Sequence, residues 1–303
     1  MSTIQTNAIV DASGGNTATV NGQNITSSNT MGRNLIINGG FDVWQRGTNF
    51  SSASYIYTSD RWKVNSATVA KTANGYKNAI SLTSTAVFAS LIQVVENGWK
   101  LKGKKVTYSF DVTSPADMGT AYLYYLNTGG SGVANTTVNF STAGRKSVTF
   151  TIPSDGSSTS NFEIRIVING NGSERGSCVI SDVQLELGSV ATDFEFRSYG
   201  EELALCERYY QLSIANTGYT NSSTSCRLSI AGKTTMRATP TIAIANGTGT
   251  CEDYGAGNRN ITGLGGLSGG TVHGGLADAT IASSTSGKSH ALMSGAIAMI
   301  AEL

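Results

Sequence analysis

Val106-Thr107-Tyr108-Ser109-Phe110-Asp111-Val112 carries apolar side chains at its even positions and polar ones at its odd positions. Successive side chains of an extended chain point to opposite faces, so this heptad buries one face and wets the other. Ser147-Val148-Thr149-Phe150-Thr151-Ile152 and Phe162-Glu163-Ile164-Arg165-Ile166-Val167-Ile168 repeat the device. Clusters of Gly, Asn and Ser separate such runs at Asn127–Gly132, Pro153–Asn161 and Asn169–Gly176. Working outward, the pattern predicts strands over Trp62–Val69, Ala79–Thr83, Ala89–Val95, Lys105–Val112, Ala121–Leu126, Thr136–Phe140, Lys146–Ile152, Phe162–Ile168 and Cys178–Leu187. Many short strands at this spacing argue for an antiparallel sandwich of the jelly-roll kind.

Composition agrees with an all-β chain. The 303 residues include 36 Gly and only 3 Pro, and few runs suit helices. Charged residues make up 14% and the formal net charge is +1, which lacks the basic excess expected of a protein that grips phosphates. Nucleic acid is therefore not an expected partner. Hydrophobic residues reach 39%, enough to build cores, yet no apolar run approaches the roughly 18 residues of a membrane span. Met1–Val10 lacks a charged region followed by an apolar one, so no secretory leader is expected. Cys178, Cys206, Cys226 and Cys251 show neither a CxxC nor zinc spacing with His273 or His290, and read as reduced and structural.

Outside the sandwich the pattern changes. Residues 1–33 are polar, with two short alternating runs, Asn7–Asp11 and Thr17–Asn21, too short for a core of their own. They read as a connector that needs a partner chain or a larger assembly. Tyr199–Tyr210 opens with Glu201 and Glu202, where the helix dipole favours acids, and predicts one short linking helix. Beyond it, Tyr210–Ala215, Cys226–Ala231, Thr241–Ala245 and Ala296–Ala301 predict the strands of a smaller C-terminal β-rich tip. Gly247–Gly275 reads as a long Gly-rich loop. The domains are thus 1–33, 34–198 and 199–303. The small-residue run Gly295–Ala301 suits close contact between chains at a trimer seam.

Two motifs go further than pattern. One is Gly32-Arg33-Asn34-Leu35-Ile36-Ile37-Asn38-Gly39-Gly40-Phe41-Asp42-Val43-Trp44-Gln45-Arg46-Gly47, followed by Tyr57-Thr58-Ser59-Asp60-Arg61-Trp62. The other runs from Asp182-Val183-Gln184-Leu185-Glu186-Leu187-Gly188 through Phe194-Glu195 to Tyr199–Tyr210. Together they resemble the opening and closing signatures of a domain in tail-fibre proteins of tailed bacteriophages. Val10–Gly22 looks like the connector before that domain, and Met236-Arg237-Ala238-Thr239-Pro240-Thr241 with Ala301-Glu302-Leu303 looks like distal tip domains. The resemblance implies a homotrimeric fibre of the virion with a jelly roll similar to carbohydrate-binding modules. Its N-terminus would dock to a tail adaptor, baseplate or capsid protein, and its ligand would be host surface polysaccharide. A capsid-bound head fibre or decoration protein would share these modules, and a polysaccharide depolymerase is a third reading.

Candidate sites follow from this. A flat aromatic ring stacks on the apolar face of a pyranose while polar neighbours take the hydroxyls. Tyr122, Tyr124 and Tyr125, with Asn127 nearby, lie on one predicted strand; Tyr122 and Tyr124 share a face and Tyr125 points away. Core or edge packing is the competing reading for each. Trp99, between Gly98 and Lys100, is the expected exposed tryptophan, while Trp44 and Trp62 read as core. By resemblance to such modules, Asp42 and Asp182 match positions that hold a structural calcium. The alternative is that they serve turns or salt links to Arg46 or Arg61. No enzyme is expected. Adjacent Glu201 and Glu202 diverge by about 100° on a helix and cannot flank one glycosidic bond. Glu252 and Asp253 are equally adjacent, and Gly266–Gly270 has the letters of a nucleophile elbow without a strand-to-helix context.

Overall fold

The structure, a computed structural model, describes residues 19–20, 23–24, 32–114, 119–126, 132–154, 162–169, 176–213, 217–245, 250–253, 257–281, 289–294 and 297–303. Within the connector it shows a two-stranded pairing of β1 (Thr19–Val20) with β2 (Gln23–Asn24); the predicted run Asn7–Asp11 lies outside the described residues. Then come β3 (Asn49–Ser52), β4 (Ile56–Tyr57), β5 (Lys63–Asn65), β6 (Ala67–Asn74), β7 (Lys77–Ser84) and β8 (Phe88–Val95). They are followed by β9 (Lys105–Ser114), β10 (Gly119–Leu126), β11 (Gly132–Phe140), β12 (Gly144–Thr151), β13 (Phe162–Asn169) and β14 (Ser177–Leu187).

These twelve strands form two antiparallel sheets of six. Sheet I has the order β12-β9-β14-β7-β6-β3 and sheet II the order β11-β10-β13-β8-β5-β4. The chain passes repeatedly between them: β10 pairs with β11 in sheet II while β9 pairs with β12 in sheet I. That nested pairing is the expected jelly roll. The alternation read from the sequence is what closes it. Val106, Tyr108, Phe110 and Val112 of β9 enter a core with Ile164, Ile166 and Ile168 of β13, Phe140 and Phe150, while the intervening residues face away. Phe110 lies against Tyr108 and edge-on to Phe140, with centroids 5.5 and 5.3 Å apart.

One expectation is corrected here. Trp62–Val69 is two strands, because Ser66 turns through a left-handed backbone (φ 54°) and carries the chain from sheet II to sheet I. Before the first strand of the sandwich, residues 32–48 run as irregular chain laid over it. That path is knitted by Asn38, whose amide donates to Val43 O (2.9 Å), Ser59 Oγ (2.8 Å) and Asp60 O (3.0 Å), and whose carbonyl oxygen accepts from Val43 N. Gly39 passes so close to Val183 O of β14 that a Cβ would collide with it. Its neighbours Asn38 and Phe41 and the more distant Arg61 are left-handed non-glycine residues, and so is Asp182 of the closing motif. Such conformations cost on the order of 1–3 kcal/mol each and persist where surrounding structure over-determines them.

The linking helix α1 (Tyr199–Glu207) begins at a capping box: Glu201 N donates to Ser198 Oγ while Ser198 N donates to the Glu201 carboxylate. The remaining strands are β15 (Tyr210–Leu212), β16 (Thr217–Ser222), β17 (Ser225–Ala231), β18 (Thr241–Ile244), β19 (Thr250–Asp253), β20 (Gly257–Thr271), β21 (Gly274–Ile281), β22 (Ser289–Ser294) and β23 (Ile297–Ile300). Six of them pair in a closed ring, β16-β17-β21-β20-β19-β22, and β15-β23-β18 form a small sheet beside it. The predicted Gly-rich loop is thus mostly strand. Its glycines serve backbone approach: Gly274 (φ 129°) turns from β20 into β21 where a Cβ would strike Ile230 O. The expected trimer seam is corrected too. Ile297, Ala298 and Met299 belong to the central strand of the three-stranded sheet and are buried within the chain itself.

Candidate glycan-binding face and the joint beside it

Sheet II exposes a row of aromatic and charged side chains on the face turned away from the core. Ala121 and Leu123 of β10 are core, so Tyr122 and Tyr124 point outward, half-buried, while Tyr125 packs against the core. On the neighbouring β13, Ile164 and Ile166 are core and Glu163 and Arg165 point outward, with Arg165 directly across from Tyr122. The Arg165 guanidinium lies 3.8 Å from the Tyr124 ring centroid and donates through Nε (2.9 Å) and Nη2 (2.6 Å) to Glu163. Burial opposes the Arg165 charge, but the Glu163 carboxylate outweighs it and its pKa is raised. Lys63 of β5 approaches the same carboxylate at 3.6 Å and stands across from Tyr57 of β4. The row Tyr124–Arg165–Glu163–Lys63–Tyr57 therefore draws on four strands and crosses a fifth, β8, each side chain held by its neighbour.

Such a row offers ring faces, a bidentate donor and a carboxylate acceptor in fixed positions. Of the sequence-predicted residues, the structure places Tyr122 and Tyr124 here and Tyr125 on the other face. Trp99 lies on the single-turn helix Gly98–Leu101, and its side chain is outside the described ones. Asn127 lies outside the described residues. The sequence reading missed Arg165, Glu163 and Lys63. Their signal was the pair of opposite charges alternating with isoleucines in β13, but nothing local tells which strand stands beside them.

Asp42 and Asp182, the calcium candidates, carry other partners. Asn78 donates to Asp42 Oδ1 at 2.6 Å, and the Lys77 ammonium binds Asp182 directly. Burial pushes the Asp182 carboxyl up and Lys77 pulls it back; the net shift is upward. A calcium ion takes six to eight oxygen ligands. Here a lysine already supplies the positive charge, and the described residues hold no group of three His, Cys, Asp or Glu side chains around one point. The donor set fits an internal ion pair, not calcium. Neither aspartate meets Arg46 or Arg61.

Those two arginines build the joint between the sandwich and the C-terminal strands. Arg61, almost fully buried, donates to Glu302 Oε2 (2.7 Å) and Val94 O (2.9 Å) and stacks on Tyr209 at 3.6 Å. Arg46 donates to Glu302 Oε1 (2.7 Å) and stacks on Tyr210 at 3.6 Å. Asp60 accepts from Gln45 N and Gln45 Nε2, and burial raises its pKa to about 6. Tyr57 donates to Leu303 O (2.7 Å), and burial, with Glu302 nearby, raises its pKa to about 12. The opening and closing motifs also meet. Glu195 accepts from the Asn34 backbone N–H (2.6 Å), and Glu202 accepts from Asn38 N and faces Arg197. The Glu201–Glu202 pair is therefore structural: one caps a helix, the other is buried under Asn38. Gly266–Gly270 lies within β20, and Cys178, Cys206 and Cys226 are free and buried.

Fold and site together define an all-β chain in which a jelly-roll sandwich is joined through one helix to a strand ring. No protein-family model matches the chain, and no curated protein matches it by sequence. Among solved structures it is similar in part to the enzymatically active domain of bacteriophage CBA120 tailspike protein 4, at 15% identity and TM-score 0.33 over 52% of this chain. The match spans 22% of that tailspike chain. It is similar also to the C-terminal family 22 carbohydrate-binding module of Clostridium thermocellum Xyn10B, with 13% identity, TM-score 0.36, 46% of this chain and 98% of that one. A third is TmCBM61 in complex with beta-1,4-galactotriose, with 17% identity, TM-score 0.33, 52% of this chain and 99% of that one.

Proposed function

We propose that the chain is a glycan-binding, non-catalytic structural protein of a tailed-phage virion, assembled as a homotrimeric fibre that attaches the particle to host surface polysaccharide. The observation that carries the binding role is the outward row Tyr122, Tyr124, Arg165, Glu163 and Lys63 on sheet II. Tyr124, Arg165, Glu163 and Lys63 are tied to one another, with Tyr122 across from Arg165, so a sugar would meet that part of the row already ordered, with little rotamer entropy lost on binding. Tyrosine rings take the apolar face of a pyranose, and the Arg165–Glu163 pair gives and accepts hydrogen bonds with neighbouring hydroxyls. The virion role rests on the two motifs: their residues build one continuous knot (Asn38, Gly39, Arg61, Glu195, Glu202), so they act together. A binding role without catalysis is supported by where the acids are spent. Glu163, Glu202 and Glu302 each hold an arginine.

The test is binding of full-length protein to an array of bacterial surface polysaccharides. Tyr122→Ala is expected to weaken the best ligand by about 2 kcal/mol, roughly 30-fold. Tyr125→Phe, on the core face, leaves it unchanged. Equal binding by Tyr122→Ala and the parent removes this face from the reading. Sedimentation at low concentration gives three chains per particle, and a folded monomer rejects the fibre. Release of reducing ends from a bound polysaccharide rejects the non-catalytic part.

A further inference from the structure

Sheet I carries a second concavity on its own outward face, unconnected with the row on sheet II. Its floor is Lys77 of β7, Asp111 of β9, Arg145 of β12 and Asp182 of β14. Tyr76, in the turn before β7, and Phe194 and Phe196 of the closing segment belong to the same lining. The cleft encloses about 510 Å³, within the range of small-ligand sites, roughly 300–1,000 Å³. Tyr76 is 95% exposed and Phe196 72% exposed, although Phe196 already rests edge-on against Phe194 at 5.7 Å. Two large exposed rings in the lining of one charged cleft have surface to gain from a ligand that covers them.

The floor decides which ligand. Lys77 binds Asp182 and lies 3.5 Å from Asp111; Arg145 donates to Asp182 O (2.6 Å) and Ser109 Oγ (2.8 Å) and lies 3.3 Å from Asp111. Both cations are thus neutralised by the two floor carboxylates, and Asp193 at the rim adds a further negative charge. An anionic sugar would approach three carboxylates, and among the described lining residues both cations are already paired. A hydroxyl both donates and accepts, so neighbouring hydroxyls can bridge Asp111 and Arg145 without breaking their pairing. We propose that this cleft is a second carbohydrate site, selective for a neutral pyranose clamped between Tyr76 and Phe196. In class this rests on the glycan-binding reading above, but it uses different residues on the opposite sheet. Two sites on opposite faces of one sandwich would let each chain hold two strands of a polysaccharide, or two points of one, and raise avidity.

The experiment is isothermal titration of full-length protein with neutral oligosaccharides (gluco- and galacto-oligosaccharides) and with oligogalacturonate. Parent, Tyr76→Ala/Phe196→Ala and Tyr122→Ala/Tyr124→Ala are compared. Both cleft rings are exposed, so the first variant keeps its fold, which circular dichroism checks. The expected result is that a neutral ligand binds the parent and loses at least tenfold affinity in Tyr76→Ala/Phe196→Ala, whatever happens in the other variant. Binding lost only in Tyr122→Ala/Tyr124→Ala overturns the cleft and leaves the sheet II reading standing. Binding lost only in the cleft variant keeps the cleft and removes the sheet II face. A preference for oligogalacturonate at the cleft, or no binding of any panel sugar, overturns the inference.

Discussion

The sandwich and the strand ring both close with six-stranded pairing, but they are held by opposite means. The sandwich packs large side chains: Phe41, Trp62, Tyr108, Phe110, Phe140, Phe150 and Phe162 share one core. The cluster associated with the ring is aliphatic and small among the described residues, with Leu228, Ile230, Ile261, Ala277, Ala279 and Ile281. Where the sandwich is specified by volume, the ring is specified by the absence of side chains, since backbones meet where a Cβ has no room. The first kind of order fails by opening a cavity and the second by a clash. The joint at Glu302 ties the two together, so each kind of failure can be tested for how far it spreads.

Removing volume has the largest expected effect. Trp62 is fully buried beside Phe41 (centroids 5.2 Å apart) and donates from Nε1 to Asn38 O. Trp62→Ala is expected to cost about 3–5 kcal/mol. Hydrogen exchange should speed up through β8, β9 and β13, while β17 and β21 of the ring stay protected. Equal acceleration in the ring would show that the two regions unfold as one unit. Next is the joint. Glu302→Ala leaves Arg46 and Arg61 buried without their shared carboxylate, and breaking a buried pair in this way costs roughly 3 kcal/mol. Calorimetry should then resolve two transitions separated more widely than in the parent. A single unshifted transition would mean the joint couples nothing.

Adding volume to the ring gives a smaller and opposite kind of damage. Gly274→Ala places a Cβ against Ile230 O at a backbone angle that disfavours side chains. The expected loss is about 2 kcal/mol, confined to exchange rates in β17, β20 and β21. A loss that reaches β9 would merge the two regions again.

The same contrast explains what the sequence could disclose. Strands such as Val106–Val112 and Phe162–Ile168 are legible because one face is buried and period two survives in the letters. The division of Tyr122 and Tyr124 from Tyr125 follows from the same rule. Gly257–Thr271 was illegible because its strand character lies in backbone pairing, with three register shifts against β21 and few apolar side chains to mark a face. The run Gly295–Ala301 misled for a related reason: small apolar residues announce close packing but not whether the neighbour is another chain or the strands β15 and β18. Arg165, Glu163 and Lys63 could not be joined to the tyrosines, because their adjacency depends on strand order across about 100 residues. Asp42 and Asp182 were singled out by the resemblance alone, and the lysine that binds Asp182 comes from β7 and has no local cue.

A pH dependence separates the joint from both cores. Burial lifts the Asp60 carboxyl to about 6 in the folded chain, against 3.8 for the ordinary side chain, with Arg46 and Gln45 offsetting only part of the rise. Between about pH 4 and 6 the folded state therefore keeps a proton that the unfolded chain has released. This contribution is fully present below pH 4, declines as pH rises through 6, and is level above that. Asp60→Asn keeps an acceptor for Gln45 N and removes the titration. Urea midpoints for the parent and Asp60→Asn at pH 4, 5, 6 and 7 should diverge steadily in favour of the variant as pH rises, then run parallel. A difference that stays flat, or that grows in favour of the parent, would mean that Arg46 binds an ionised Asp60 tightly enough to cancel burial. The joint would then be a true three-way ion cluster with Glu302. If the expected slope appears, Glu302 alone neutralises the two arginines, and Asp60 serves as a hydrogen-bond acceptor whose charge is a liability to the fold.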